Sequence, residues 1–188
     1  NMVLLSPKNK WELEDMLEFA ITLKKPIALR YPRGTASEEF QNSRTPIVYG
    51  KSEVIQKGSK IAILTEGHML SFAMKAAEKL KEENITPFVV NMRFLKPLDT
   101  EILNQVADCC EYIVTVEDGL RQGGFGSKVL EYYSDEQIYT PKVINMGFPD
   151  KYIEQGKPEE LYHLYGLDGE GIYQKIKQKV GLKGVKNE

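Results

Sequence analysis

Short runs of apolar residues alternate with amphipathic stretches along most of the chain. Continuous apolar runs bounded by turn residues are typical of buried strands, whereas apolar residues three or four apart are typical of helices. The pattern predicts strands over 26–29, 52–56, 61–65, 88–90, 112–116 and 143–145, and helices over 8–25, 70–80, 100–107, 126–133, 159–165 and 169–180. Such alternation predicts an α/β domain with three layers, α/β/α, around a mainly parallel five-stranded sheet.

The first 35 residues do not complete a domain of their own. An apolar opening leads to a helix that is predicted to start at Ser6 and Pro7, and the strand over 26–29 follows. One helix and two strands cannot cover both faces of a parallel sheet. We therefore expect residues 1–35 to be the remnant of a preceding domain, which either docks on the following domain or is covered by another chain.

The remaining boundaries follow from composition. Residues 36–47 are polar with little periodicity and predict a linker over the surface. Residues 48–183 contain the regular alternation of strands and helices and predict one complete domain. Residues 184–188 are expected to be a frayed tail.

Composition narrows the class of protein. The chain is 41% hydrophobic and 28% charged with a net charge of -2, so no basic field favours nucleic acid. No apolar run approaches the roughly 20 residues that span a bilayer, and no signal peptide is visible. Adjacent Cys109 and Cys110 rarely bridge each other, and His68 and His163 lie far apart. We expect a cytoplasmic protein without a metal site in this chain, without nucleic acid and without a membrane.

The stretch ALRYPRG, residues 28–34, is the most unusual in the sequence. It places Arg30 and Arg33 around a Tyr-Pro pair at the end of a predicted strand. Pro32 fixes the backbone before Arg33, and a held guanidinium suits bidentate capture of a phosphate. A structural ion pair is as compatible with the residues as an anion site.

Two further stretches precede or end helices and strands of the main domain. GGFGSK, residues 123–128, could hold a phosphate at a helix start, but glycines that allow a helix to lie close to the sheet are favoured. Glu117 and Asp118 end the strand over 112–116 and would point to opposite sides if the strand continues. A capping or interface role is therefore favoured over acid/base chemistry.

Other polar residues have ordinary interpretations beside functional ones. Arg93 and Lys96 are predicted on a loop, where Arg93 could bind an anion or form a stabilising ion pair, and Asp99 is predicted to cap the next helix. His68 lies near a helix start, where a solvated or capping role is favoured. The remaining residues of this kind are expected to cover a helix face: Tyr162, His163 and Tyr165.

Four of these stretches together resemble the 1-deoxy-D-xylulose-5-phosphate synthase family, thiamine-diphosphate enzymes of the transketolase superfamily. The matching segments are ALRYPRG, VVNMRFLKPLD, IVTVEDGLRQGGFGSKVLE and GFPDKYIEQGKPEELYHLYGLDGEGI. The resemblance covers nearly the whole chain and places it at the C-terminal end of such an enzyme. It implies that residues 1–35 end the pyrimidine-binding domain and that residues 48–183 form the transketolase-type C-terminal domain.

The resemblance implies a function for the longer protein. The family condenses pyruvate with D-glyceraldehyde 3-phosphate with loss of CO2, the first step of the non-mevalonate isoprenoid pathway, and works as a homodimer. The second arginine of RYPRG contacts the acceptor's phosphate, so Arg33 is the implied substrate-binding residue and Arg30 is left structural. The motifs for thiamine diphosphate, Mg2+ and the catalytic residues lie earlier than this chain reaches. This chain alone is therefore expected to bind neither cofactor nor metal and to be inactive.

Two alternatives remain. The beta subunit of a 2-oxo-acid dehydrogenase shares the C-terminal fold, although RFLKPLD and YGLDGEGI argue against it. The domain could also act as a non-catalytic dimerisation or regulatory module.

Overall fold

A computed structural model describes residues 1–136 and 141–182, so the predicted tail, residues 184–188, lies outside the described residues. The elements within these ranges are, in chain order, β1 Val3–Leu5, α1 Lys10–Thr22, β2 Ile27–Leu29, β3 Glu53–Gln56, β4 Lys60–Thr65, α2 Met69–Glu82, β5 Phe88–Asn91, β6 Phe94–Lys96, α3 Thr100–Cys109, β7 Cys110–Leu120, α4 Phe125–Asp135, β8 Lys142–Phe148, α5 Pro158–Leu164 and α6 Gly169–Val180. Residues 36–47 contain neither helix nor strand, and their role as a linker between domains stays a prediction.

Five strands form the main sheet in the order β3-β5-β4-β7-β8. Neighbouring strands are parallel throughout, except that the edge strand β3 runs antiparallel to β5. The predicted mainly parallel five-stranded sheet is therefore confirmed, and β3 lies at one of its edges.

Helices cover both faces of this sheet. Ile61 and Ile63 of β4 pack with residues of α2 and α6, whereas Ala62 and Leu64 pack with residues of α3 and α4. Since successive side chains of a strand point to opposite faces, one buried strand serves two cores. Each fully buried aliphatic side chain stabilises the folded state by about 1.5–3 kcal/mol. Helices on both faces of the sheet confirm the predicted three-layer arrangement.

The N-terminal segment, residues 1–35, docks on the main domain, which starts at residue 48. A second sheet has the order β2-β1-β6, in which β1 is parallel to β2 and antiparallel to β6. Val3, Leu5 and Met16 form a buried cluster with Phe94 of β6. The prediction of a loop across Arg93 and Lys96 is wrong for Phe94–Lys96, because β1 supplies a strand partner from the distant N-terminal segment.

Helix starts are set by side-chain caps. Asp99 accepts a hydrogen bond from the Ile102 N–H at 3.4 Å, which confirms the predicted cap of α3. Helix α1 is capped by Asn9, whose Oδ1 accepts from the Glu12 N–H at 2.9 Å. The predicted start at Ser6 is wrong, because the Ser6 hydroxyl instead donates to the buried Glu66 carboxylate.

The two cysteines are free thiols, with their sulfur atoms 3.5 Å apart. No helix within the described residues is both long and apolar enough to cross a lipid bilayer.

Candidate functional site

The connections of the main sheet diverge at the carboxyl ends of β4 and β7. From β4 the chain passes through α2 to β5 on one side, and later through α3 to β7 on the other side. Ligands of open α/β sheets bind in the crevice outside the carboxyl ends of the strands at such a switch point. Glu66 and His68 follow β4, and Glu117 and Asp118 lie near the end of β7, so polar side chains converge at this crevice.

Glu117 is buried and caps helix α4. Its two carboxylate oxygens accept hydrogen bonds from the N–H groups of Phe125 at 2.8 Å and Gly126 at 2.9 Å. A Cβ at Gly124 would lie 2.1 Å from the Glu117 carboxylate, so this glycine allows the close approach. The favoured interpretations of both stretches are confirmed: the protein's own carboxylate occupies the helix start that could have held a phosphate.

Burial raises the pKa of Glu117, and the nearby Glu66 carboxylate raises it further. The two N–H donors from α4 and the charge of Arg30 oppose this rise. Two buried carboxylates, Glu66 and Glu117, therefore face the crevice, and the partly exposed guanidinium of Arg30 lies beside them.

Glu66 joins the N-terminal segment to the crevice. Its carboxylate accepts from the Ser6 hydroxyl and from the Asp118 N–H at 3.0 Å. The Arg30 guanidinium lies 3.4 Å from it, and Arg30 is 37% exposed whereas Glu66 is 2% exposed. Arg30 thus forms an ion pair with Glu66, the structural alternative that ALRYPRG had left open for its arginines.

Arg33 lies on the wall of a cavity of about 520 Å³ beside this crevice. Its side chain is exposed, and no carboxylate of the described residues lies within ion-pair distance. The walls come from residues 32–39, the start of α2, the ends of β7 and β8, and α5 with the loop before it. They are Pro32, Arg33, Thr35, Ser37, Glu39, His68, Ser71, Phe72, Asp118, Phe148, Ile153, Pro158, Glu159, Leu161 and Tyr162. The cavity therefore combines one unpaired cation with three carboxylates, Glu39, Asp118 and Glu159, and with an apolar part of the wall.

A polar cluster lies on the opposite wall of the cavity from the N-terminal segment. The His68 Nε2 atom is 3.0 Å from the Tyr162 hydroxyl and 3.5 Å from the Asp118 carboxylate. Burial raises the pKa of Tyr162, and the Asp118 charge raises it further, so the phenol remains a hydrogen-bond donor. His68 makes no side-chain cap on α2, which corrects the predicted capping role.

Arg93 lies outside the cavity, in a buried ionic network. Its Nε atom is 2.6 Å from Glu12 and its Nη2 atom is 3.3 Å from Glu53, while Lys8 lies 3.0 Å and 2.5 Å from the same two carboxylates. Two cations and two anions balance, and all four side chains are at most 4% exposed. The ion-pair interpretation of Arg93 is confirmed, and the anion-site interpretation is not supported, because its guanidinium is already occupied.

The sequence missed part of this site. Tyr162 was expected to cover a helix face, and it does bury its ring, but its hydroxyl also reaches His68. A hydroxyl-bearing aromatic residue opposite a histidine has no signal in sequence spacing, because 94 residues separate the two. His163 is exposed and its Nδ1 atom lies 2.8 Å from Asp168, away from the cavity.

The described residues contain no cluster of the kind that would hold Mg2+, the metal that the resemblance implies for the longer protein. Across residues 1–136 and 141–182 no three His, Cys, Asp or Glu side chains converge as metal ligands. The two buried crevice carboxylates already accept hydrogen bonds from Ser6, Asp118, Phe125 and Gly126. Both carboxylates therefore already have hydrogen-bond partners within this chain.

Comparison with known families decides the classification of this fold. The profile of "Transketolase, C-terminal domain" matches residues 50–172, about two thirds of the chain. The chain belongs to the transketolase C-terminal domain family. In this family member the matched region contains the whole main sheet and all the crevice residues except those of the N-terminal segment.

Curated relatives of this transketolase-type domain are 1-deoxy-D-xylulose-5-phosphate synthases. The proteins of that name from Caldanaerobacter subterraneus subsp. tengcongensis and Clostridium perfringens are 44% identical over 95% and 92% of the chain. The Aquifex aeolicus protein of the same name is 43% identical over 98% of the chain. The chain spans between a quarter and a third of these relatives, at 28–29% of their length.

A solved structure shares the fold. It is a "Split gene transketolase, inactive beta4 tetramer", with a TM-score of 0.88 and 29% sequence identity. The similarity covers 97% of this chain and 59% of that chain, so it includes the docked N-terminal segment.

Proposed function

We propose that this chain is the C-terminal part of a 1-deoxy-D-xylulose-5-phosphate synthase. That enzyme joins pyruvate to D-glyceraldehyde 3-phosphate with loss of CO2. The names of the relatives and their 38–44% identity over nearly the whole chain support this proposal over a dehydrogenase beta subunit. Since the chain spans about 29% of those relatives, the remaining domains supply thiamine diphosphate, Mg2+ and the groups that activate pyruvate.

Arg33 has the role of binding the acceptor's phosphate. The observation that carries this assignment is its exposed guanidinium on the wall of the crevice cavity, without a carboxylate partner among the described residues. A guanidinium binds a phosphate dianion through two parallel hydrogen bonds. Holding the dianion away from the reacting carbon orients the aldehyde, and this positioning lowers the barrier for the addition step.

The backbone that leads to Arg33 is anchored to the rest of the fold. Arg30 contacts Glu66 at 3.4 Å, and β2 pairs with β1, so the backbone on the N-terminal side of Arg33 is fixed to the sheet edge. Pro32 restricts the backbone before Arg33. Less conformational entropy of this backbone is then lost when the phosphate binds.

The decisive experiment is steady-state kinetics of Arg33→Ala in the protein that unites this chain with the preceding domains. We expect the KM for glyceraldehyde 3-phosphate to rise about ten- to a hundredfold, because a charged hydrogen-bond pair is lost. The rise corresponds to roughly 1.5–3 kcal/mol of binding free energy. The KM for pyruvate should stay the same. Arg33→Lys should recover part of the loss, since a lysine keeps the charge without the bidentate geometry.

Arg44→Ala is the matched control. Arg44 is also exposed, but it pairs with Asp15 at 2.6 Å and lies outside the cavity. Its removal should leave both KM values unchanged. An unaltered acceptor KM in the Arg33 variant would remove Arg33 from the site.

We also infer that the complete enzyme works as a homodimer, to which this domain contributes contacts. The solved neighbour is named as a tetramer, which supports self-association as a property of the fold. A single-chain mass for the active enzyme in analytical ultracentrifugation would contradict this inference.

A further inference from the structure

Strand β8 forms one edge of the main sheet. It pairs with β7 on one side, and within the described residues no strand lies on its other side. An edge strand presents a row of backbone N–H and C=O groups that are available to another strand. At seven residues, β8 is longer than β3, the four-residue strand at the opposite edge.

Two adjoining cavities lie along this edge. Their volumes are about 590 Å³ and 510 Å³, and they share Arg121, Asn145 and Lys175 in their walls. Between them they are lined by six consecutive residues of β8, 142–147. The edge therefore faces an elongated groove rather than a closed pocket, and we call it the β8 groove.

The charges of the β8 groove have one sign. Arg121, Lys142, Lys175 and Lys179 line it, all four are exposed, and its lining contains no Asp or Glu. None of the four lies within ion-pair distance of a carboxylate among the described residues. Other lysines do form ion pairs, among them Lys79, Lys81, Lys128 and Lys177. This contrasts with the whole chain, whose net charge is -2.

We propose that the β8 groove binds an extended, acidic peptide segment of a partner protein by strand addition. The backbone of the segment pairs with the open edge of β8, and its carboxylates contact the four cations. Main-chain hydrogen bonds give such a complex its affinity, and alternate side chains give it specificity. Exposed Leu130 and Leu164 lie in the two cavity walls and offer apolar contacts for the intervening side chains.

Charge decides between the possible occupants. A second copy of this chain, paired through the same edge, would bring the same four cations against one another, and like charges across a strand pair are destabilising. A small phosphate would use the cations but leave the backbone edge unpaired. An acidic strand satisfies both features at once.

The test is fluorescence anisotropy of the full chain with a fluorescein-labelled seven-residue peptide of alternating glutamate and valine. We expect saturable binding that weakens as salt rises, since exposed charge pairs are screened. Lys175→Glu combined with Lys179→Glu should weaken binding at least about tenfold, because two attractions become repulsions. Lys24→Glu combined with Lys57→Glu changes the net charge equally at sites outside the groove and should leave binding unchanged.

A second peptide, N-methylated at alternate backbone amides, separates strand addition from simple charge attraction. We expect it to lose binding, because it keeps every carboxylate but cannot complete the strand pairing. Equal binding of both peptides would overturn the proposal. Saturable binding of tripolyphosphate without peptide binding would overturn it in favour of a small-anion site. Absence of any binding would overturn it in favour of lysines that only protect the edge from aggregation.

Discussion

Arg93 shows how a single residue type can have opposite roles in one chain. It lies 3% exposed among two carboxylates and a lysine, whereas Arg33 is exposed on a cavity wall. Taking a charge out of water is costly unless partners compensate it, so Arg93 has no capacity left for a ligand. Both arginines follow strands, and only the distant residues Glu12 and Glu53 distinguish them.

The network around Arg93 should make the free energy of unfolding depend on pH, with a loss of stability at acidic pH. Burial by itself would raise the pKa of Glu53, but the hydrogen bond from Lys8 and the charge of Arg93 outweigh it and hold the pKa below 4.5. A carboxyl whose pKa is lower in the folded state stabilises the fold above its unfolded pKa. That stability is lost as the pH falls through the folded value.

We therefore expect Glu53→Gln to lower the free energy of unfolding by roughly 3–5 kcal/mol at neutral pH, since it leaves a buried cation unpaired. The difference from the natural chain should shrink as the pH falls below 4.5. Urea unfolding at a series of pH values measures this. Glu38→Gln removes an exposed partner of Lys10 and should have little effect at any pH. A difference for Glu53→Gln that is independent of pH would contradict the assignment.

At the scale of elements, helix α4 is held unusually close to the sheet. A Cβ at Gly126 would lie 2.2 Å from the Asn145 amide oxygen and 2.4 Å from the Thr115 hydroxyl. Both are side-chain atoms of neighbouring strands, and the Thr115 hydroxyl donates a hydrogen bond to the Asn145 amide oxygen at 3.1 Å, which restrains the two side chains. The glycine therefore sets the distance between helix and sheet, and with it the reach of the Glu117 carboxylate to the start of α4.

Gly126→Ala should displace α4 and lower the free energy of unfolding by about 1–3 kcal/mol, the usual cost of overpacking. Gly156→Ala is the control, because its nearest neighbour is the mobile end of Leu161 at 3.2 Å. Chemical denaturation of both variants measures the effect. Equal stability of the two variants would show that α4 has room to move.

The elements of the main domain could be predicted from sequence because their signals are local. Helix α6 was predicted over 169–180 and is found at Gly169–Val180, and the Asp99 cap needed only the next four residues. Strand β6 was missed, because its three residues become a strand only through β1. The cap of α1 was misplaced for a similar reason, since Ser6 is drawn away by Glu66, 60 residues later.

The candidate site was predictable only in part for the same physical reason. Arg33 was singled out by the resemblance of ALRYPRG to a known family, since the residues alone were equally compatible with a structural ion pair. The cavity beside it needs residues as distant as Tyr162, and its phosphate-binding role stays a proposal. The pairing of His68 with Tyr162 depends on how α5 packs over the crevice, and no periodicity encodes that distance.

At the scale of the molecule, the N-terminal segment and the main domain form one packed body. The pairing of β1 with β6, the buried cluster at Phe94 and the ionic network all cross between them. We therefore expect a single unfolding transition. Trp11, the only tryptophan, lies in α1 and reports on the segment, whereas far-ultraviolet circular dichroism reports on all elements.

The two signals should give the same midpoint in urea, because two-state unfolding makes different probes coincide. An earlier tryptophan transition would mean that the segment detaches before the domain unfolds. Trp11→Phe, followed by circular dichroism alone, checks that the probe residue itself does not set the midpoint.

Calorimetric titration of thiamine diphosphate with Mg2+ tests the division of labour between this chain and the rest of the enzyme. We expect no binding heat with the 188-residue chain and clear heat with the protein that includes the preceding domains. The reason is that, among the described residues, no three His, Cys, Asp or Glu side chains converge as metal ligands. Stoichiometric binding to this chain would place a cofactor site within it.

The antiparallel contact between β1 and β6 also has a consequence for protein synthesis. Leu5 pairs with Phe94, so about ninety residues must be translated between the two partners. At roughly 5–20 residues per second, the ribosome takes on the order of 10 s to supply β6 after β1. During that interval the newborn β1 has an open apolar edge, and the sheet to which it belongs is completed only when the following domain has begun to emerge.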